Sequence, residues 1–103
     1  MTKLQYRQGD VLLMACKAVP PDSVLESNRE FIMLARGEAT GNGHAISSKF
    51  AQAYWANNDR FLKVDQPSEL LHQEHAAITI QPGIYQVVRQ KEYVSAAQFY
   101  VRD

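Results

Sequence analysis

Three histidines are the residues of this chain best suited to chemistry. His44 lies in GEATGNGHAI at residues 37–46, and His72 and His75 bracket Gln73 and Glu74 in LLHQEHAAITI. Imidazole is the commonest metal ligand and the usual acid–base group near neutral pH. The segment His72-Gln73-Glu74-His75 is one residue shorter than the H-x-x-E-H pattern of inverted zinc proteases. It is not H-E-x-x-H either, and the paired histidines of cupins are absent. A spacing of three sets two rings on one side of a helical turn but on opposite sides of a regular strand. Both rings therefore reach one ion only if the backbone turns at Gln73 and Glu74. Two readings are open. In the first, His44, His72 and His75 converge on a divalent metal such as zinc, with water as fourth ligand. Glu74 then orients a ring or accepts a proton from that water. In the second, the histidines are exposed or hydrogen-bonded polar residues at loop ends.

Other side chains offer less. Ser47 and Ser48 follow His44 by three and four residues, a poor spacing for a nucleophile–base pair on a strand. Cys16, the single cysteine, sits in the apolar run VLLMAC with no base in sequence to activate it, and reads as a small buried side chain. Arg7, Arg36, Arg89 and Lys91 are dispersed, and fit cross-strand ion pairs with Glu92, Glu38 and Asp10. Tyr85 and Tyr93 read as packing, and no paired-carboxylate signature of a glycosidase is present. No set of residues names a reaction.

The elements that must position the histidines read as short strands separated by turns. Residues 11–18 (VLLMACKA) are apolar on both alternating faces, as in a strand covered on both sides. Pro20-Pro21-Asp22 ends it, and an irregular polar loop is expected as far as Asn28. In residues 29–36 (REFIMLAR) a helix would set Phe31, Leu34 and Ala35 on one face, but the run is short and Gly37 closes it, which favours a strand over that alternative. Thr40-Gly41-Asn42-Gly43 is a hairpin turn signal that puts His44 at the start of the returning strand. Residues 50–55 and 60–64 flank Asn57-Asn58-Asp59 as a second hairpin, with Phe50, Tyr54, Trp55 and Phe61 as core or sheet-face packing. Residues 65–69 read as a loop, residues 70–75 and 77–80 as short strands, and Pro82-Gly83 as a type II turn. A long strand follows over residues 84–93. Ser95–Gln98 has the form of a capping box for one helical turn before a last strand segment at Tyr100-Val101. The pattern predicts a single all-β domain over residues 1–103, a barrel or a sandwich of antiparallel strands.

Composition is ordinary for a globular chain, with 46% hydrophobic and 21% charged residues among 103. Eleven basic and eleven acidic side chains balance to zero formal charge, which argues against nucleic acid as a main partner. The start, MTKLQYRQGD, has no hydrophobic signal core, and no apolar stretch is long enough to span a membrane. With one cysteine, a reducing cytoplasm is the expected location.

Three stretches, YRQGDVLL, GEATGNGHAI and HQEHAAITIQPGIYQVVRQKEY, together resemble a family of small uncharacterised bacterial and phage-associated proteins. Its pattern has a Gly-Asp-Val start, T-G-H-x-H, H-x-E-H-x-x-I, then P-G-x-Y-x-V and Q-(R/K)-E-Y. Thr40, Gly41, His44, His72, Glu74, His75, Pro82, Gly83, Tyr85, Gln90, Glu92 and Tyr93 match it. Asn42 departs from it, standing where the first histidine of T-G-H-x-H is expected. The resemblance implies a shared architecture more than an activity. A small β chain with free strand edges also gains stability by closing into a ring, and a trimer would present any axial histidine three times. The leading expectation is a homo-oligomeric binding or accessory module. The alternative is a small metal-dependent enzyme of hydrolase or cupin-like type using His44, His72, His75 and Glu74.

Overall fold

The computed structural model describes residues 5–36 and 43–89. They form ten strands: β1 Gln5–Gln8, β2 Val11–Cys16, β3 Val24–Leu25, β4 Phe31–Arg36, β5 Gly43–Ser47, β6 Ala51–Ala56, β7 Asp59–Val64, β8 Ser68–Leu71, β9 Ile78–Ile80 and β10 Gly83–Arg89. A six-stranded sheet runs β1-β2-β10-β7-β6-β3 and a four-stranded sheet β4-β5-β8-β9, every pairing antiparallel. The all-β expectation holds, in the form of a sandwich.

Alternation along the strands builds the core. Val11, Leu13, Leu62, Val64, Ala51, Ala53 and Tyr85 come from the larger sheet, and Ile32, Leu34, Ile46, Leu70 and Ile80 from the smaller. Burying each of the large aliphatic side chains is worth about 1.5–3 kcal/mol, so the inward register of the strands that carry them is strongly specified. β2 is apolar on both faces, and Val11, Leu12 and Leu13 are all buried. Residues 29–36 do supply a strand, β4, which carries a bulge between Met33 and Ala35 opposite β5.

Several expectations are corrected. The polar stretch before Asn28, expected to be an irregular loop, contains the two-residue β3 at a sheet edge. β8 begins at Ser68, inside the expected loop, because Ser68 and Leu70 pair with Ile80 and Ile78. Residues 72–77 are the connection between β8 and β9 and not strand, so His72 and His75 are freed from strand alternation. Gly83 has φ 159°, nearly extended and far from the value near +80° of a type II turn, since it already pairs with Val64 as the first residue of β10. The aromatic expectation is met at two positions: Phe61 is buried, and Trp55, 43% exposed, lies on the sheet face with the Arg60 guanidinium 5.5 Å from its ring centre. Cys16 is partly exposed at the end of β2. The turn at residues 40–42, the end of the expected long strand and the Ser95–Gln98 box lie outside the described residues.

Two polar staples join distant parts of the sandwich. Arg60 on β7 donates to both carboxylate oxygens of Glu26 at 2.7 and 2.8 Å and to the Leu34 carbonyl of the other sheet at 3.4 Å. Its fork geometry and the mostly buried partners make this a pair whose rupture leaves a costly unpaired charge. Tyr85 donates to the Gln81 carbonyl at 2.6 Å, and Tyr6 accepts from the Gln81 amide at 3.1 Å, with the two rings edge-to-face at 5.7 Å. Burial, with Tyr6 alongside, pushes the Tyr85 hydroxyl up to about 12, consistent with a purely structural donor.

Candidate functional site

One end of the sandwich gathers all three histidines. His44 shares the inward face of β5 with Ile46, because alternate residues of a strand point the same way, and it is 3% exposed. β5 and β8 pair Ala45 with Leu71 and Ile46 with Leu70. Continuing that register one step sets His72 opposite His44, where directly opposed side chains meet. The ring centres are 4.3 Å apart. The chain then turns, as it must for a spacing of three, and returns His75 to the same place, 4.6 Å from His72 and 5.9 Å from His44. The loop is held by the Glu74 amide, which donates to His72 Nδ1 at 3.0 Å, and by the Gly43 amide, which donates to Gln73 Oε1 at 3.1 Å.

The β1–β2 hairpin closes over this cluster. Its two-residue connection, Gly9-Asp10, places glycine at the first central position with φ 59°, as tight hairpins require. Glycine is needed for space as well: a Cβ there would lie 2.8 Å from His75 Nε2 and 3.1 Å from His44 Cε1. Asp10 brings Oδ1 to 3.2 Å from His44 Nε2, and its other oxygen accepts from Arg89 Nη2 at 3.2 Å. Arg89 stands there because β10 pairs it with Val11. The other nitrogen of His44, Nδ1, lies 2.8 Å from Gln8 Oε1.

Burial is the largest influence on the His44 ring and disfavours its charged form. His72 and His75 add to this, and together they outweigh Asp10, so its pKa falls below the usual histidine value. Burial pushes the Asp10 carboxyl up, but the bonds and charge of Arg89, its own backbone donor and His44 bring it below the usual carboxylate range. The surroundings thus work against a charged imidazole and for a charged carboxylate.

The expected meeting of His44 with His72 and His75 is what the fold delivers. Three imidazoles on one tetrahedral zinc, each Zn–N about 2.0–2.1 Å, have ring centres about 5 Å apart, and the three separations here bracket that value. The rings are tilted or stacked on one another, and among the described residues no group of three or more His, Cys, Asp or Glu side chains is arranged as it stands to hold a metal ion. Glu74 donates its backbone amide to His72 Nδ1. Ser48 donates to the Arg29 carbonyl and Ser47 accepts from the Lys49 amide, so each hydroxyl is engaged away from His44. Asp10 and Gln8 were not nominated as site residues by sequence reasoning. The Gly-Asp turn was a visible signal for the first, and nothing in the local pattern marked the second.

A small antiparallel β-sandwich carrying an imidazole–carboxylate cluster at one end is the class that fold and site define. The chain belongs to a domain family of unknown function (DUF8820), whose profile matches residues 7–90 and so spans Gln8, Asp10, all three histidines and Arg89. No curated protein and no solved structure matches it significantly. No helix among the described residues is long and apolar enough to cross a membrane.

Proposed function

We propose that this protein is a binding module whose ligand is a borderline divalent cation of the zinc type, taken up at His44 and Asp10 with His75 and His72 completing the site. The observation that carries the reading is the gathering of three imidazoles and one carboxylate, from three separate chain segments, at one end of the sandwich. Mixed imidazole and carboxylate donors suit zinc and its neighbours, whereas calcium and magnesium prefer all-oxygen sites. His44 and Asp10 sit on paired strands and a tight turn and need little movement. His72 must release the Glu74 amide to turn a nitrogen inward, and it lies on a connecting loop that can reorganise. Calorimetric titration with Zn²⁺ tests this: one equivalent is expected to bind the native chain, with affinity at least tenfold weaker in His44→Ala and Asp10→Asn. Binding undiminished in His44→Ala would sink it.

A second reading, self-association, is supported by the edge strand β3. Val24 and Leu25 are 67% and 58% exposed there, beside Trp55. An apolar edge with no partner strand among the described residues is a template for pairing with another copy, and a trimer is the first count to test. Size-exclusion chromatography with light scattering is expected to show an oligomer that Val24→Glu dissociates. A monomeric native chain would rule it out.

A further inference from the structure

The contacts of Gln8 go beyond holding β1 in place. Its amide nitrogen donates to the Leu70 carbonyl at 2.9 Å and to the Ala76 carbonyl at 3.0 Å. A side-chain amide has two N–H donors, so both are used. A flipped amide would set its oxygen against two carbonyl oxygens and lose both bonds. The oxygen is therefore the atom that faces His44 Nδ1 at 2.8 Å, and it can only accept. With Gln8 3% exposed, water cannot substitute for these partners.

We infer that Gln8 is a positioning residue that locks neutral His44 as its Nδ1–H tautomer, so that the Nε2 lone pair is aimed at Asp10 and is the ring's cation-binding atom. On the other side of the ring two acceptors, Nε2 and Asp10 Oδ1, then lie 3.2 Å apart. Such a contact is relieved only by something positive at or between them: a proton, or a metal ion that takes both as donors. An imidazole whose far N–H is held by an amide or carboxylate oxygen is the usual arrangement behind a metal-binding nitrogen. Through Leu70 and Ala76 the same side chain also ties down both ends of the loop that carries His72 and His75. Gln8 thus specifies the donor atom on β5 and anchors the loop that brings the other rings.

The consequence for metal uptake rests on the proposed cation site, but the tautomer itself does not, and it can be read without metal. The experiment is long-range ¹H–¹⁵N correlation of the imidazoles in ¹⁵N-labelled protein in the presence of a chelator. It is run at about pH 8.5, some two units above an ordinary histidine pKa of about 6.5, with His44 assigned by its absence in His44→Gln. The native protein is expected to show the Nδ1–H pattern for His44. In Gln8→Met the remaining strong acceptor is Asp10, and the ring is expected to change to Nε2–H. Asp10→Asn, at a half-buried turn position, keeps the Gln8 clamp and is expected to retain Nδ1–H, which decides the matter even if Gln8→Met does not fold. An Nε2–H ring in the native protein, or a tautomer that follows Asp10→Asn, overturns the inference. An Nδ1–H ring in a protein that takes up no Zn²⁺ upholds the clamp and removes only the metal reading. Zinc binding through His44 with an Nε2–H apo ring does the reverse.

Discussion

Gly9 shows how closely single residues determine this site. Its positive φ and the absence of a Cβ serve two needs at once, the hairpin turn and the approach of His75 and His44. Gly9→Ala is expected to cost about 1–2 kcal/mol from the left-handed backbone alone, seen as a lower urea midpoint. It is also expected to displace the His75 ring and weaken Zn²⁺ binding several-fold, while β2 and β10 stay paired. Unchanged affinity in a folded Gly9→Ala protein would mean that His75 takes no part. The three imidazoles could be nominated from residue type alone. Gln8 could not, because its partners lie far along the chain: His44 is 36 residues away and Leu70 is 62. A polar residue with such partners carries no local mark, and only the paired sheets reveal it.

At the scale of elements, strands with strong turn chemistry were legible and edge strands were not. The hairpin at Asn57, with φ 59°, follows from residues that accept tight turns. β1 and β3, which end the larger sheet among the described residues, have little apolar alternation and so left no periodic signal. The loop at residues 72–77 escaped for a related reason: β8 ends where its pairing with β5 ends, a fact of register and not of composition. Elements are also joined by charge. Burial raises the Glu26 carboxyl, but the Arg60 bonds and charge, with Asn28 and Trp55 as further donors, bring it below the usual carboxylate range. A carboxylate whose folded pKa is depressed contributes stability above its unfolded pKa and loses it as pH falls through the folded value. Native stability is therefore expected to decline as pH drops below about 4.3, and Glu26→Gln should show a shallower decline, followed by urea midpoints between pH 7 and 3. An identical slope would remove this pair from the account. Arg60→Ala, which strands the Glu26 charge, is expected to cost about 3 kcal/mol at pH 7.

For the whole molecule, two sheets of six and four strands meet over one aliphatic core, and the cluster forms where that core runs out at one end. The all-β class followed from strand length and turn spacing. The sandwich did not, because β2 pairs with β10 more than sixty residues away, and periodicity does not encode such partners. This architecture explains why histidines from β5 and from the β8–β9 loop meet beneath the first hairpin, and it makes cation binding the central claim. Native mass spectrometry of the protein after Zn²⁺ loading and desalting tests that claim most directly, reading bound metal and subunit number together. One zinc per chain in the native protein, absent from His44→Ala, is the predicted result. A native chain that emerges free of metal would contradict it and leave His44, His72 and His75 as hydrogen-bonded polar residues at the end of a β-sandwich.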